Sequence, residues 1–188
     1  MTRGRDSAKR SVMNSVIRIF LVISLMPLGL LMAQDSGVKV SEQTFTKPAA
    51  WKSEKTASKM RAAQFSVPGK EGEEAAVCVF FYFGPGNGGG AQANLQRWVG
   101  QFAEDPKPQF KVEDAKVGET PVAFLFANGT FMDGPPFGGA KVPKKNYGMA
   151  AAVLGTKPGY IFVKMTGPQA VVDAAKADFK KMIESALK

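Results

Sequence analysis

The sequence predicts an α+β fold, a mostly antiparallel sheet with helices packed on both faces as an α/β/α sandwich. Three observations carry that prediction. Ala75 to Phe83 is an unbroken apolar run, Ala-Ala-Val-Cys-Val-Phe-Phe-Tyr-Phe, and a strand apolar on both faces needs cover on both. Segments 91–103 and 168–187 repeat apolar residues at helical spacing. The remaining strand-like segments are separated by hairpin-type turn signals, which favour antiparallel pairing. With 45% apolar and 22% charged residues among 188, one ordinary globular domain is expected.

The N-terminus reads as an export signal. Arg3, Arg5, Lys9, Arg10 and Arg18 face only Asp6, Ile19 to Met32 carries no charge, and Ala33 precedes the polar Gln34-Asp35-Ser36. A basic stretch, a short apolar stretch and a small residue are the three parts of a secretory signal. The apolar part is shorter than the roughly 20 residues that a spanning helix needs. Residues 1–33 are therefore expected to be a signal peptide cut between Ala33 and Gln34, leaving a periplasmic or secreted protein with no transmembrane span in the mature chain. An uncleaved anchor would still send the remainder outward, because its basic flank stays inside. No cysteine follows the apolar run, which excludes lipid attachment there. Residues 34–41 read as a polar leader and 42–188 as a single α+β domain.

Within that domain, Gln43 to Thr46 starts a strand, Trp51 is a packing anchor, and Met60 to Val67 forms a strand closed by Pro68-Gly69. The run at 75–83 is expected to be a central strand, with Cys78 as a small buried hydrophobe. After the break at 84–90, Leu95, Trp98, Val99 and Phe102 make one helical face, ended by Pro106 and Pro108. Phe110-Lys111-Val112 opens a strand that reaches about Lys116. Val122 to Phe126 and Thr130 to Met132 flank Asn128-Gly129, the dipeptide of a tight hairpin. Asn146 to Leu154 and Tyr160 to Met165 flank Lys157-Pro158-Gly159, which suits a type II turn with Pro then Gly. The final helix pairs Thr166 with Gln169 as a capping box and places Pro168 in its first turn. Val171, Val172, Ala175, Phe179, Met182, Ile183 and Ala186 form its buried stripe, and Lys176, Lys180 and Lys181 stay in water.

The strand leading to Pro48 and Trp51, the helix bearing Asn94 and Arg97-Trp98 ahead of Gln101, and the C-terminal helix together resemble the PsbP-like fold group. Its best-known member is an extrinsic subunit of the photosynthetic oxygen-evolving complex. The string from Phe83-Gly84 through Asn94, Arg97-Trp98 and Phe102 also resembles small secreted bacterial proteins of unknown function. In element order the resemblance covers roughly residues 43–187. It implies the sandwich fold and a non-catalytic binding or assembly role. The metal-binding and docking residues of the photosynthetic subunit have no match here, since the chain has no histidine.

Composition excludes several chemistries. Without histidine and with one cysteine, His-based acid/base catalysis, His-ligated metals and internal disulfides drop out. The net charge of +9 comes from 25 basic and 16 acidic residues; beyond residue 33 the balance is 20 against 15, too mild for a dedicated nucleic-acid binder. Gly84-Pro85-Gly86-Asn87-Gly88-Gly89 fits G-x-G-x-x-G, and Asp105 follows about 20 residues later. The alternating βαβ units of a dinucleotide fold are absent from the pattern, so the segment reads as a strand-to-helix connector whose amides can meet an anion or a partner. The second unusual loop, 133–146, contains Phe137 and a basic cluster of Lys141, Lys144 and Lys145, and loops of this length are often functional.

The candidate partner or anion surface is therefore Gly86, Asn87, Gly88, Gly89, Phe137, Lys141, Lys144 and Lys145. Its expected partner is an unknown envelope protein or an anionic surface. Glu113 and Asp114 point to opposite faces of a strand and cannot act as one acid/base pair. No catalytic, cofactor or metal residues are assigned, no cofactor is called for, and the protein is expected to be a monomer. Two other readings stay open: a small carboxylate-based hydrolase, and a carrier of a small apolar or anionic ligand in a pocket among Phe81, Phe83, Trp98 and Phe126.

Overall fold

In the computed structural model, which describes residues 37–56, 58–135 and 138–188, nine strands and two helices follow one another along the chain. β1 (Gly37–Val40) and β2 (Gln43–Thr46) form a separate hairpin. β3 (Lys52–Ser53), β4 (Ala63–Val67) and β5 (Ala76–Tyr82) precede helix α1 (Ala91–Val99). β6 (Gln109–Val117), β7 (Thr120–Asp133), β8 (Val142–Thr156) and β9 (Gly159–Pro168) then lead to α2 (Gln169–Ser185). The main sheet has seven strands in the order β3-β4-β5-β9-β8-β7-β6, every pair antiparallel. The expected α+β sandwich is what the chain adopts. The proposed signal peptide and its cleavage site fall outside the described residues.

Alternation along the strands sorts side chains into two cores. On one face Phe45, Phe65, Phe80, Phe124, Ile161, Met165 and the α2 residues Val172, Phe179 and Ile183 pack together. On the other, Leu95, Trp98 and Phe102 meet Leu125, Met149, Ala151, Val153 and Phe162. Neighbours Phe124 and Leu125 thus serve opposite cores, as the period of two demands. The β1–β2 hairpin lies on the α2 face, where Phe45 meets Phe80 edge-on at 5.0 Å and the Thr46 amide donates to Ser185 Oγ at 2.9 Å. Val40 is buried, so the segment read as a polar leader already belongs to the folded body from residue 37 onward.

β5 is interior, flanked by β4 and β9, but the middle place belongs to β9. The strand with the longest fully covered stretch is β8, buried from Gly148 to Leu154. Its Ala150-Ala151-Ala152 is too small to stand out as a hydrophobic run, yet small side chains let both layers approach it closely. Cys78 is completely buried on the α2 side, as expected.

Four local expectations are corrected. Asn128-Gly129 is no turn, because β7 runs straight through it with a bulge between Gly129 and Phe131, and the β6–β7 hairpin turns at Gly118-Glu119 instead. Gly129 serves close approach: a Cβ there would lie 3.3 Å from Pro108 Cα. Extending β7 lets Phe131 pack against Phe102 and Tyr147, a gain that overrides the local turn preference. The β8–β9 turn is shifted by one, since Thr156 pairs with Gly159 and leaves Lys157-Pro158 as the loop. The capping box is not formed: Thr166 pairs with Val77 and Met149 inside the sheet, and Pro168 is the N-cap of α2 without a side-chain hydrogen bond. Finally, helix α1 stops at Val99, after which Phe102 bridges to Phe131 as an isolated sheet contact.

Candidate binding surfaces

The two Gly-rich segments lie at opposite ends of the sheet. The 84–90 loop follows β5 and abuts the β8–β9 turn, with the Gly84 carbonyl 3.0 Å from where a Gly159 Cβ would be. The 134–141 loop joins β7 to β8 at the far end of β8, which spans 15 residues or about 45 Å at roughly 3.3 Å per residue. The glycines and the lysines therefore do not form one surface.

The glycine loop serves packing. Gly88 has φ +85° and an added Cβ would collide with Phe162 and Phe83 at 2.7 and 2.8 Å. Asn94, only 2% exposed, donates to the Gly88 and Gly90 carbonyls, 2.9 Å each, and so ties the loop to α1. Gly86 and Asn87 form the loop's outer turn, where the Asn87 side chain donates to the Pro85 carbonyl. Gly89 also has positive φ, as the turn into α1 requires.

The basic loop is shorter than the sequence suggests. Lys144 and Lys145 lie in β8, Lys141 just before it, and Phe137 falls outside the described residues. Lys144 is engaged: it sits 3.6 Å from the Glu74 carboxylate and 5.7 Å from the Tyr147 ring centre. Burial, and then the Glu74 carboxylate beside it, push the Tyr147 hydroxyl up to about 12. Lys141 and Lys145 remain exposed.

The proposed aromatic pocket is also not assembled. Phe83 packs on Phe81 and Phe162, and Trp98 meets Phe162 edge-on at 6.5 Å. Phe126 stacks on Phe124, on the opposite face of the sheet.

That opposite face carries a groove of about 580 Å³ between α2 and the edge strand β6, lined by Phe110, Lys111, Glu113, Phe126, Lys176 and Lys180 among others. Lys180 donates to Glu113 at 2.6 Å, and Lys111 reaches the same carboxylate at 3.0 Å. These two hydrogen bonds hold Glu113 below the usual carboxylate range. The Lys176 and Lys180 ammonium groups both lie 5.5 Å from the Phe126 ring centre, and Lys180 lies 5.2 Å from that of Phe124. These lysines do not simply stay in water; they lie along aromatic rings, as long amphipathic side chains can. Phe110, paired with Ala127 on the other face of β6, is 57% exposed. Among the described residues, the outer edge of β6, nine residues long, has no strand beyond it.

The sequence signal for this groove is split between two distant places. Phe124 and Phe126 share one strand face, and Lys176 and Lys180 share one helix face at i, i+4. Only the register that sets β6 and β7 under α2 joins them.

The groups available for catalysis are few. Burial pushes the Cys78 thiol up, away from the thiolate that a nucleophile requires. Among the described residues, no three acidic or thiol side chains converge as metal ligands would. Among those residues, too, no helix is long and apolar enough to cross a membrane.

No family model matches the sequence, and no curated protein matches it. Two solved structures are similar to the chain. One is a protein of unknown function, PA94 from Pseudomonas aeruginosa, at 15% identity and TM-score 0.44, covering 81% of this chain and 95% of that one. The other is cyanobacterial PsbP (CyanoP) from Synechocystis sp. PCC 6803, at 14% identity and TM-score 0.47, covering 76% and 84%. A PsbP is thus among the structures this chain is similar to, the fold group that its sequence resembles.

Proposed function

We propose that the chain is a non-catalytic binding module that works outside the cytoplasm and docks an extended, acidic segment of an envelope partner along β6. One observation carries this reading: among the described residues a nine-residue strand edge is unpaired, and it runs beside a groove where the Phe126 ring and three lysines face two carboxylates, Glu113 and Asp173. An added strand would satisfy the outward backbone groups of β6 by main-chain hydrogen bonds. The net positive groove selects acidic side chains, and Phe126 accepts an apolar one. The exposed Lys141 and Lys145 lie beyond the Gln109 end of β6 and extend the positive surface in that direction.

The test is capture from the native envelope fraction, identified by mass spectrometry. Val112→Pro, which places a ring on the edge, and Phe110→Asp should each abolish capture while leaving the circular-dichroism spectrum unchanged. Equal capture by both variants would remove β6 as the docking edge. Export is tested separately by intact mass, which should begin at Gln34.

A further inference from the structure

The face opposite that groove holds a second constellation. Helix α1 packs on β7, β8 and, through Trp98, Phe162 of β9, and farther along the same face Val79 of β5 is buried. Gln64 pairs with Val79, and Val79 with Lys164, so these three side chains stand in a row across β4, β5 and β9. Lys164 is half-buried and donates to Gln101 Oε1 at 2.9 Å. One helical turn before Gln101, Arg97 donates to Asn94 Oδ1. From the other side Arg61, just ahead of β4, donates to Gln64 Oε1, and the Gln64 amide donates to Glu54 at 2.5 Å.

Three cations therefore flank one row of side chains, and the acceptors holding them are neutral amides. Among the described residues none of the three is in an ion pair. Burial, then Arg97 and Arg61, bring Lys164 down to about 8, with Asp133 acting the other way. Like charges held together by neutral acceptors are unfavourable, and an anion between them relieves that cost.

We propose that Lys164, Arg97 and Arg61 form a binding site for a phosphate-class oxyanion. Half-buried Lys164 supplies a point charge, and the two exposed guanidinium groups supply planar forks of donors, the donor types that suit a tetrahedral oxyanion. Gln101 and Gln64 hold the cations in place and lend no competing charge. The oxyanion is free in solution or carried on a lipid headgroup; both present the same oxygens.

Calorimetric titration of the purified protein with inorganic phosphate at low ionic strength is the test. Saturable binding is expected, with the Lys164 ammonium, followed by NMR, becoming less acidic as phosphate binds. Arg61→Gln together with Arg97→Gln should weaken phosphate at least about tenfold, as should Lys164→Met. Lys141→Glu with Lys145→Glu should leave phosphate binding unchanged. The two arginines are exposed, so their double variant should keep the wild-type melting temperature. Phosphatidylglycerol vesicles form a second arm: co-sedimentation with the same arginine dependence identifies a headgroup, and phosphate binding without it identifies a soluble ligand. Absence of saturable phosphate binding, or equal binding by the double arginine variant, overturns the proposal.

Discussion

The two faces of the sheet are finished differently. The α2 face is covered by a 17-residue helix and by the β1–β2 hairpin, and its core runs without polar interruption from Phe65 to Ile183. The α1 face has a nine-residue helix, enough to cover β7 and β8 but not the strands beyond β9. One face buries most of its apolar surface and leaves grooves at its margins, one of them beside β6. The other leaves part of its sheet to polar side chains, and there the cations gather. A difference of eight helical residues goes with a core that reaches farther on one face and a cluster of cations on the other.

The largest effect expected is on the α2 face. Phe179→Ala removes a fully buried ring and should cost about 3–5 kcal/mol in denaturant unfolding. Cys78, in the same core, should resist thiol reagents until that unfolding occurs. Gly88→Ala tests the join between β5 and α1. Its backbone strain and the collision with Phe162 should cost about 1–3 kcal/mol. A cost below the error of the measurement would show that the loop adjusts freely.

A shallower effect concerns pH. Lys164 is lowered to about 8 in the folded protein from the ordinary 10.5, so between those values the unfolded chain binds more protons. Stability should therefore rise with pH through that window, since burial penalises the ammonium fully below it. In Lys164→Met that rise should vanish; an identical profile in the variant would mean that Lys164 is freely solvated. The smallest effect is on the basic hairpin. Lys141→Glu and Lys145→Glu, both exposed, should each change stability by less than about 0.5 kcal/mol.

Long-period features were legible in the sequence. The doubly apolar run at 75–83 followed from unbroken apolarity, the α2 stripe from Val171 to Ile183 from helical spacing and the buried Trp51 from its size, and all three are in place. What failed was local chemistry overridden by distant pairing. Asn128-Gly129 has every property of a turn, but Phe131 gains more by extending the strand toward Phe102 and Tyr147. Thr166 has the right neighbours for a helix cap, but the sheet needs it between Val77 and Met149.

The candidate surfaces failed for a related reason. Gly86 and Lys145 are separated by 59 positions, and no local pattern reports that the sheet register sends them to opposite ends. The β6 groove and the Lys164 cluster are likewise built by register, from Phe126 beneath Lys176 and from Gln64 two strands away from Lys164. Their charged members read as ordinary solvated lysines and arginines until the strands are aligned.

The outer edge of β6 also bears on colloidal behaviour. An open strand edge is a template on which further copies can polymerise. The opposite edge of the sheet, β3, is two residues long and offers little to copy. The hazard is concentrated on β6, where Lys111, Glu113, Asp114 and Lys116 place a charge on each face near its centre and act as gatekeepers between Phe110, Val112 and Val117. Replacing those four by neutral residues would leave the buried cores intact, and the damage would appear chiefly as turbidity on concentration. A partner strand seated on β6 would remove the same hazard by occupying the template.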